Sequence, residues 1–404
     1  MSIPAPLLPA TNFVPRPVYL DNHATTRVDP RVVAEMLPWF DVHFGNAGSV
    51  NHSFGAEAAD AVEQSRRQIG DLLKCMPDAV IFTSGGTESN NLAIKGVLGM
   101  APPGRHLIVS AAEHRSVLDP AKRLQRRGVE LTIIRVDRDG RVDPQTIEAA
   151  IRPNTVLASV MLANNEVGSI NPIPEIARIC RSRGVVFHCD AVQAVGKIPL
   201  DLEQLGADLV SLSAHKLYGP KGTGALYVRR GDPPIRLEPL LDGGGHERRL
   251  RSGTLAVPLI VGFGTACRLA REALESESVL IRKLRDRLWQ GLCERLPGLI
   301  LNGHPTERLA GNLNVSIEGV DGEQLMDGLT RIAVSSGSAC ASADPEPSHV
   351  LRAMGVAEPL SKASLRFGLG RFNTADDVEL AIEHVAETVK RLRAGEHSHT
   401  DRKR

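Results

Sequence analysis

The chain has 404 residues, enough for two or three domains, and its 42% apolar content can build a substantial core. Aromatic residues are only 3%, so that core is expected to be mostly aliphatic. A net charge of +1 with 24% charged residues excludes the electrostatic footprint of a nucleic-acid or membrane-surface binder and suits a small-molecule enzyme. No apolar run approaches the ~20 residues of a membrane span. The proline-rich start, MSIPAPLLPATNFVPRP, lacks the basic head and apolar block of a signal peptide. Six cysteines without a CxxC pair point to reduced thiols in a cytoplasm rather than a disulfide framework or a zinc site.

In chain order, residues 1–17 are expected to form an extended arm and residues 18–20 a short strand. Helical patterning follows over 30–40, then a polar loop, HFGNAGSVNHSFG, of a length that is often functional. A helix is predicted over 56–73 and a strand over 79–83 (AVIFT). SGGTESNN comes next, then helix over 92–98. A strand, a Gly-Gly turn and a helix opening with Thr87 and Glu88 make an anion-binding geometry, because the first-turn N–H groups and the helix dipole face the ligand. The bland alternative is a well-capped helix. The pattern is neither GxGxxG nor a Walker loop.

Strands over 106–110, 129–136, 156–162, 185–188 and 207–212 then alternate with helices over 117–126, 144–150 and 173–183. The strands are nearly continuous apolar runs, as in a buried parallel sheet, and the alternation predicts a doubly wound α/β domain. Ligands of such sheets sit at the carboxyl ends of the strands. Five polar clusters fall there: residues 84–87, Glu113-His114, residues 164–166, residues 190–193 and Ser213 to Lys216. Lys216 lies on a constrained loop, in SLSAHKLYGPKGTG, before a further strand over 225–228. By itself it is either a surface charge or a Schiff-base lysine.

Beyond residue 242 the pattern changes. ERRLRSGT, with Arg248, Arg249 and Arg251, is expected to be a solvated loop. Long helices follow over 257–296. A strand over 311–317, a short helix over 321–328, helix over 348–354, strand over 364–367 and helix over 374–392 form a smaller α+β unit. The charged tail after Ala394 is expected to be disordered. Cys340 sits in a polar Ser/Gly/Ala stretch, VSSGSACASA, where a thiolate can form and be reached. The other five cysteines fall in helical or strand contexts and are expected to be small buried hydrophobes.

Laid out in order, YLDNHATT, FTSGGTESNN, EHRSVLD, ANNEVGSI, HCDAVQAVGK, SAHKLYGPKG, GGGHERRLRSGT, SSGSACAS and LRFGLGRF closely resemble the cysteine desulfurases. These are pyridoxal-phosphate enzymes on the type I aminotransferase fold, and the resemblance is to the branch with a long mobile cysteine loop. It covers residues 18–392. It implies an arm over 1–28 packing with the small domain, a large cofactor-binding α/β domain over 29–270 with a mostly parallel sheet, a small α+β domain over 271–393 carrying the cysteine loop, and a tail over 394–404.

The resemblance also implies roles. Lys216 supplies the amine for the cofactor, Asp190 pairs with the pyridine nitrogen, and Gln193 bonds the ring hydroxyl. Gly86, Thr87, Ser213 and His215 hold the phosphate. Thr254 reaches the phosphate of the neighbouring subunit in a homodimer with shared sites. His114 stacks on the ring and serves in acid–base work. Asn165 and Arg366 bind the carboxylate of L-cysteine. Cys340 takes the sulfur as a persulfide, passes it to an acceptor protein (an iron–sulfur scaffold or another carrier), and is a possible transient iron–sulfur ligand; no resident metal is implied. A selenocysteine lyase, an aminotransferase or a non-catalytic scaffold on the same fold are the competing readings. The tail GEHSHTDRKR departs from the aromatic- and His-containing tail of members that serve the general scaffold. His23 and the Ala-Gly-Ser of FGNAGSVNH also differ from commoner members, with little effect on the chemistry expected.

Overall fold

A computed structural model of the chain describes residues 16–336 and 347–395. Cys340, most of the expected arm and the tail over 396–404 lie outside the described residues. The strands are β1 (Val18–Tyr19), β2 (Val80–Thr83), β3 (His106–Ser110), β4 (Glu130–Ile134), β5 (Thr155–Ser159), β6 (Val186–Asp190), β7 (Leu209–Ser213), β8 (Gly224–Val228), β9 (Leu299–Asn302), β10 (Asn312–Ile317), β11 (Ile332–Ala333), β12 (Ser335–Ser336) and β13 (Ser364–Gly368). The helices are α1 (Pro30–Met36), α2 (Pro38–Asp41), α3 (Ser53–Leu73), α4 (Gly86–Gly99), α5 (Arg115–Gln125), α6 (Pro144–Ala150), α7 (Ile173–Ser182), α8 (Leu202–Leu205), α9 (Val257–Arg295), α10 (Gly322–Gly328), α11 (His349–Ala353), α12 (Glu358–Lys362) and α13 (Ala375–Arg393).

Seven strands form the main sheet in the order β2-β8-β7-β6-β5-β3-β4. From β7 to β4 every pairing is parallel, while β8 runs antiparallel to both β2 and β7. β2, β3, β7 and β8 are buried along their whole length. That explains their unbroken apolar runs, since both faces are covered by helices. The parallel arrangement aims the ends of β5, β6 and β7 at one rim, and the α4 N-terminus meets them there.

Helix ends follow local chemistry. Asp29 caps α1 through the Arg31 N–H, with Pro30 at the first helical position. Thr374 and Asp377 form a reciprocal capping box at α13. α4 begins at Gly86, six residues before the apolar periodicity at Leu92, and it starts without a side-chain cap. Its first-turn N–H groups are therefore left for other acceptors.

A second sheet, β12-β13-β10-β9, is antiparallel and packs against α9 and α13. β1 pairs in parallel with β11, so the N-terminal strand joins this half of the molecule. The predicted group of helices over 257–296 is one helix of 39 residues, about 58 Å long at 1.5 Å per residue. Its first part buries Cys267, Leu269 and Ala270 in the core that also holds Phe187 and Phe263. Its last part buries Leu284, Leu288 and Leu292 in a second core around Phe367 and Val385.

Two expectations are corrected. Cys293 is exposed on α9, and Cys75 lies half-buried on a bend after α3, so these two are not buried hydrophobes. The loop containing Arg248 and Arg249 is solvated only in part: Glu247 is buried and takes a bidentate ion pair from Arg66, at 2.8 and 2.9 Å, and a 2.7 Å bond from the Phe82 N–H.

Candidate active site

At the strand rim lies a cavity of about 570 Å³. Ten of the predicted site residues line it: Gly86, Thr87, His114, Asn165, Asp190, Gln193, Ser213, His215, Lys216 and Arg366. Thr254 is exposed and is not among the lining residues. Cys340 lies outside the described residues.

Each side chain is placed by its element. Lys216 follows β7 in a short 3₁₀ turn, and its Nζ donates to the carbonyls of His23, at 2.5 Å, and Ala24, at 2.7 Å. Residues 23–26 run alongside this turn. Thr26 Oγ1 bonds the His215 carbonyl at 3.0 Å, and His215 Nδ1 lies 3.1 Å from Thr25 Oγ1. Burial and the nearby lysines push the His215 imidazole down to about 4, so it is neutral at pH 7.

Asp190 ends β6. It accepts from Asn90 Nδ2 at 2.7 Å and from the Val192 N–H at 3.0 Å. The same Asn90 amide donates to Ser116 Oγ at 2.8 Å, and Ser116 Oγ lies 2.7 Å from His114 Nδ1. Asp190 and His114 are thus joined by two intervening polar residues. Burial lowers the His114 pKa, with the Asp190 charge opposing it.

Arg366, on β13, is 3% exposed. It donates to the Asn165 carbonyl at 3.0 Å and pairs with Asp21 at 2.8 Å, while its Nε has no hydrogen-bond partner. Asn165 Oδ1, Ser213 Oγ and His23 Nε2 are likewise buried without partners. With Asn90 Oδ1, five orphaned polar atoms on residues lining one cavity are costly unless a ligand satisfies them.

The glycines keep the anion end open. A Cβ on Gly86 would lie 2.7 Å from Val192 Cγ2, and one on Gly224 would lie 2.7 Å from Gly85 Cα. Gly85 itself adopts φ 151°, which glycine tolerates.

Sequence reasoning missed Asn90, Ser116, Asp21 and Lys197 here, and discounted His23. All five sit within or next to the quoted motifs, but nothing in the string separates an internal polar partner from a solvated one.

Residues 18–380 match the family model Aminotransferase class-V. The chain belongs to the class-V aminotransferase family. Among class-V proteins it is 53% identical over 378 residues to cysteine desulfurase IscS of Anaeromyxobacter dehalogenans (strain 2CP-C), covering 93% of each chain. It is 49% identical over 379 residues to the mitochondrial cysteine desulfurase of Arabidopsis thaliana, covering 94% of this chain and 83% of that one. A solved NifS-like protein aligns with a TM-score of 0.86 at 37% identity, over 93% of this chain and 99% of the other. The expected family and type I fold are borne out.

Class-V aminotransferases use pyridoxal phosphate, and the residues present fit it. An uncapped helix start beside the orphaned Ser213 hydroxyl suits a phosphate. The buried Asp190 carboxylate suits a protonated ring nitrogen, and Lys216 offers the amine. No group of three or more His, Cys, Asp or Glu that could hold a metal occurs among the described residues.

Proposed function

We infer that the protein is a cysteine desulfurase, which converts L-cysteine to L-alanine and a persulfide on Cys340. One observation carries the reading. The Lys216 amine, the Asp190 carboxylate and an uncapped helix N-terminus meet in one cavity, in a chain half-identical to proteins named for that activity.

Pyridoxal phosphate supplies the electron sink that accommodates the pair left when the substrate Cα proton is removed. The chain's residues do the rest. Lys216 Nζ would hold the cofactor and, as a free amine, would accept the Cα proton. Asp190 would hold the ring nitrogen protonated, and Gln193 would donate to the ring hydroxyl. Gly86, Thr87, Ser213 and His215 hold the phosphate, with Thr254 of a second copy completing it in a homodimer. His114 would face the ring and move a proton at the leaving sulfur. Arg366 and Asn165 orient the substrate carboxylate.

The transfer balances. The Cys340 thiolate attacks the substrate sulfur, an S–S bond forms as C–S breaks, and the carbon keeps the electron pair and gains a proton as alanine. The persulfide then passes to an acceptor thiol, of an iron–sulfur scaffold or another carrier. A division into a large unit over 29–270 and a small unit over 271–393 is part of the proposal, supported by the two separate cores. So is a cytoplasmic setting, supported by the absence of a disulfide or membrane-length apolar helix among the described residues.

Purified protein incubated with cysteine and a reductant tests the reading. Wild type should release sulfide, and Cys340→Ser and Lys216→Ala should each lose at least ~10²-fold. Sulfide release by Cys340→Ser at the wild-type rate would remove the desulfurase assignment.

A further inference from the structure

Lys197 lies on the turn after Gln193 and ends the motif HCDAVQAVGK, yet the proposed chemistry gives it no role. It is a half-buried residue whose amine end is enclosed, and its Nζ donates to Gln193 Oε1 at 3.0 Å. An ammonium can only donate, so it dictates which end of the Gln193 amide is the oxygen. The same oxygen faces His23 Nδ1 at 3.1 Å. Gln193 Nε2 is thereby the donating end; it bonds the His23 carbonyl at 2.9 Å and has a second N–H for the cavity that Gln193 lines. Lys216 Nζ docks on that same His23 carbonyl. Lys197 and Lys216 are therefore linked through one amide and one carbonyl.

We propose that Lys197 is a positioning residue for the cofactor: its ammonium locks the Gln193 amide donor-side to the cavity and places a positive charge beside Lys216. The inference rests on the reading of the cavity as a pyridoxal-phosphate site.

The surroundings agree. The charges facing Lys197 are those of Lys216 and Arg366, both positive, and the two titratable neighbours are neutral: burial holds His23 well below its ordinary range and pushes His215 down to about 4. Burial and the two cations push the Lys197 ammonium down to about 7. Below about pH 7, where Lys197 is an ammonium, its positive charge disfavours protonation of any nitrogen next to it, Lys216 Nζ included. The visible absorbance of the loaded enzyme should therefore titrate at a lower pH with Lys197 than without it.

The test loads wild type, Lys197→Met and Lys197→Arg with pyridoxal phosphate and follows the visible band against pH. Lys197→Met should raise the midpoint by at least about half a pH unit and weaken cofactor binding several-fold. Lys197→Arg, which keeps charge and donor, should stay near wild type. A purely structural lysine would lower the melting temperature of Lys197→Met and leave the midpoint in place, and that result overturns the proposal. If Lys197→Met does not fold, Lys197→Gln, which removes the charge but retains a donor, gives the same reading. Wild type failing to bind the cofactor would strike the site assignment itself, and with it this inference.

Discussion

The Glu113 carboxyl is fully buried one residue before His114. Oε1 accepts from Ser110 Oγ at 2.6 Å and from the Met161 N–H at 2.8 Å, while Oε2 has no partner. Burial, aided by the nearby Asp190 charge, raises this carboxyl to about 8, so it is neutral at pH 7. A raised carboxyl stabilises the fold fully below its unfolded pKa, near 4.5, and that contribution fades as pH rises through about 8. Glu113→Gln is neutral throughout. Denaturant unfolding should show wild type losing stability against Glu113→Gln between about pH 4.5 and 8; a flat difference would mean the carboxyl is ionised in the fold. At this scale the sequence exposed positions but not states. Glu113-His114 is visible at a strand end, yet the neutrality of Glu113 depends on burial and on the Asp190 charge from another strand, against the hydrogen bonds of Ser110 and Met161, which favour the ionised form. Lys197 and His23 were hidden for the same reason: a buried lysine and a solvated one are spelled alike.

Among elements, the junction of α4 with β8 positions the anion end of the cavity. Gly224 opens β8, and a Cβ there would sit 2.5 Å from the Leu212 carbonyl oxygen and 2.7 Å from Gly85 Cα. Both are backbone atoms that cannot turn aside. Gly224→Ala should cost about 1–3 kcal/mol, read by thermal unfolding, and weaken pyridoxal-phosphate affinity because it displaces the α4 N-terminus. Glu247 ties the following loop to α3 and β2 through Arg66 and the Phe82 N–H. Removing it leaves the buried Arg66 guanidinium without its bidentate partner, Glu63 holding only its Nε at 3.0 Å, so Glu247→Ala should cost about 3 kcal/mol in denaturant unfolding. Strand and helix existence was legible from periodicity, and the rim clusters from their places at strand ends. The direction of β8 was not, because a strand covered on both faces reads as the same apolar run whichever way its neighbours point. The early start of α4 was hidden too: Thr87 to Asn91 are polar, so the apolar period begins only at Leu92.

For the whole molecule, α9 is the shared member of two cores. Its central stretch is largely exposed between them, so the helix backbone joins the two alongside direct bonds such as Arg366 to the Asn165 carbonyl and Arg371 to Asp29. Glu275→Pro, at an exposed position there, should cost about 3 kcal/mol and turn a single unfolding transition into two, seen by calorimetry. The docking carbonyl of His23 belongs to this larger picture. Its chain segment is stitched to the second core: β1 pairs with β11, the Leu20 N–H reaches the Ala333 carbonyl, and the Asn22 N–H reaches Gly368. The lysine grows from one core, and its resting place is held by the other. Loosening of the small half, by heat, by mutation in α13 or by a partner pulling on it, would therefore withdraw the berth from Lys216 while the large sheet stays intact. The colour of the loaded enzyme would then report on a seam some distance from the cofactor, and would change before the large core gives way.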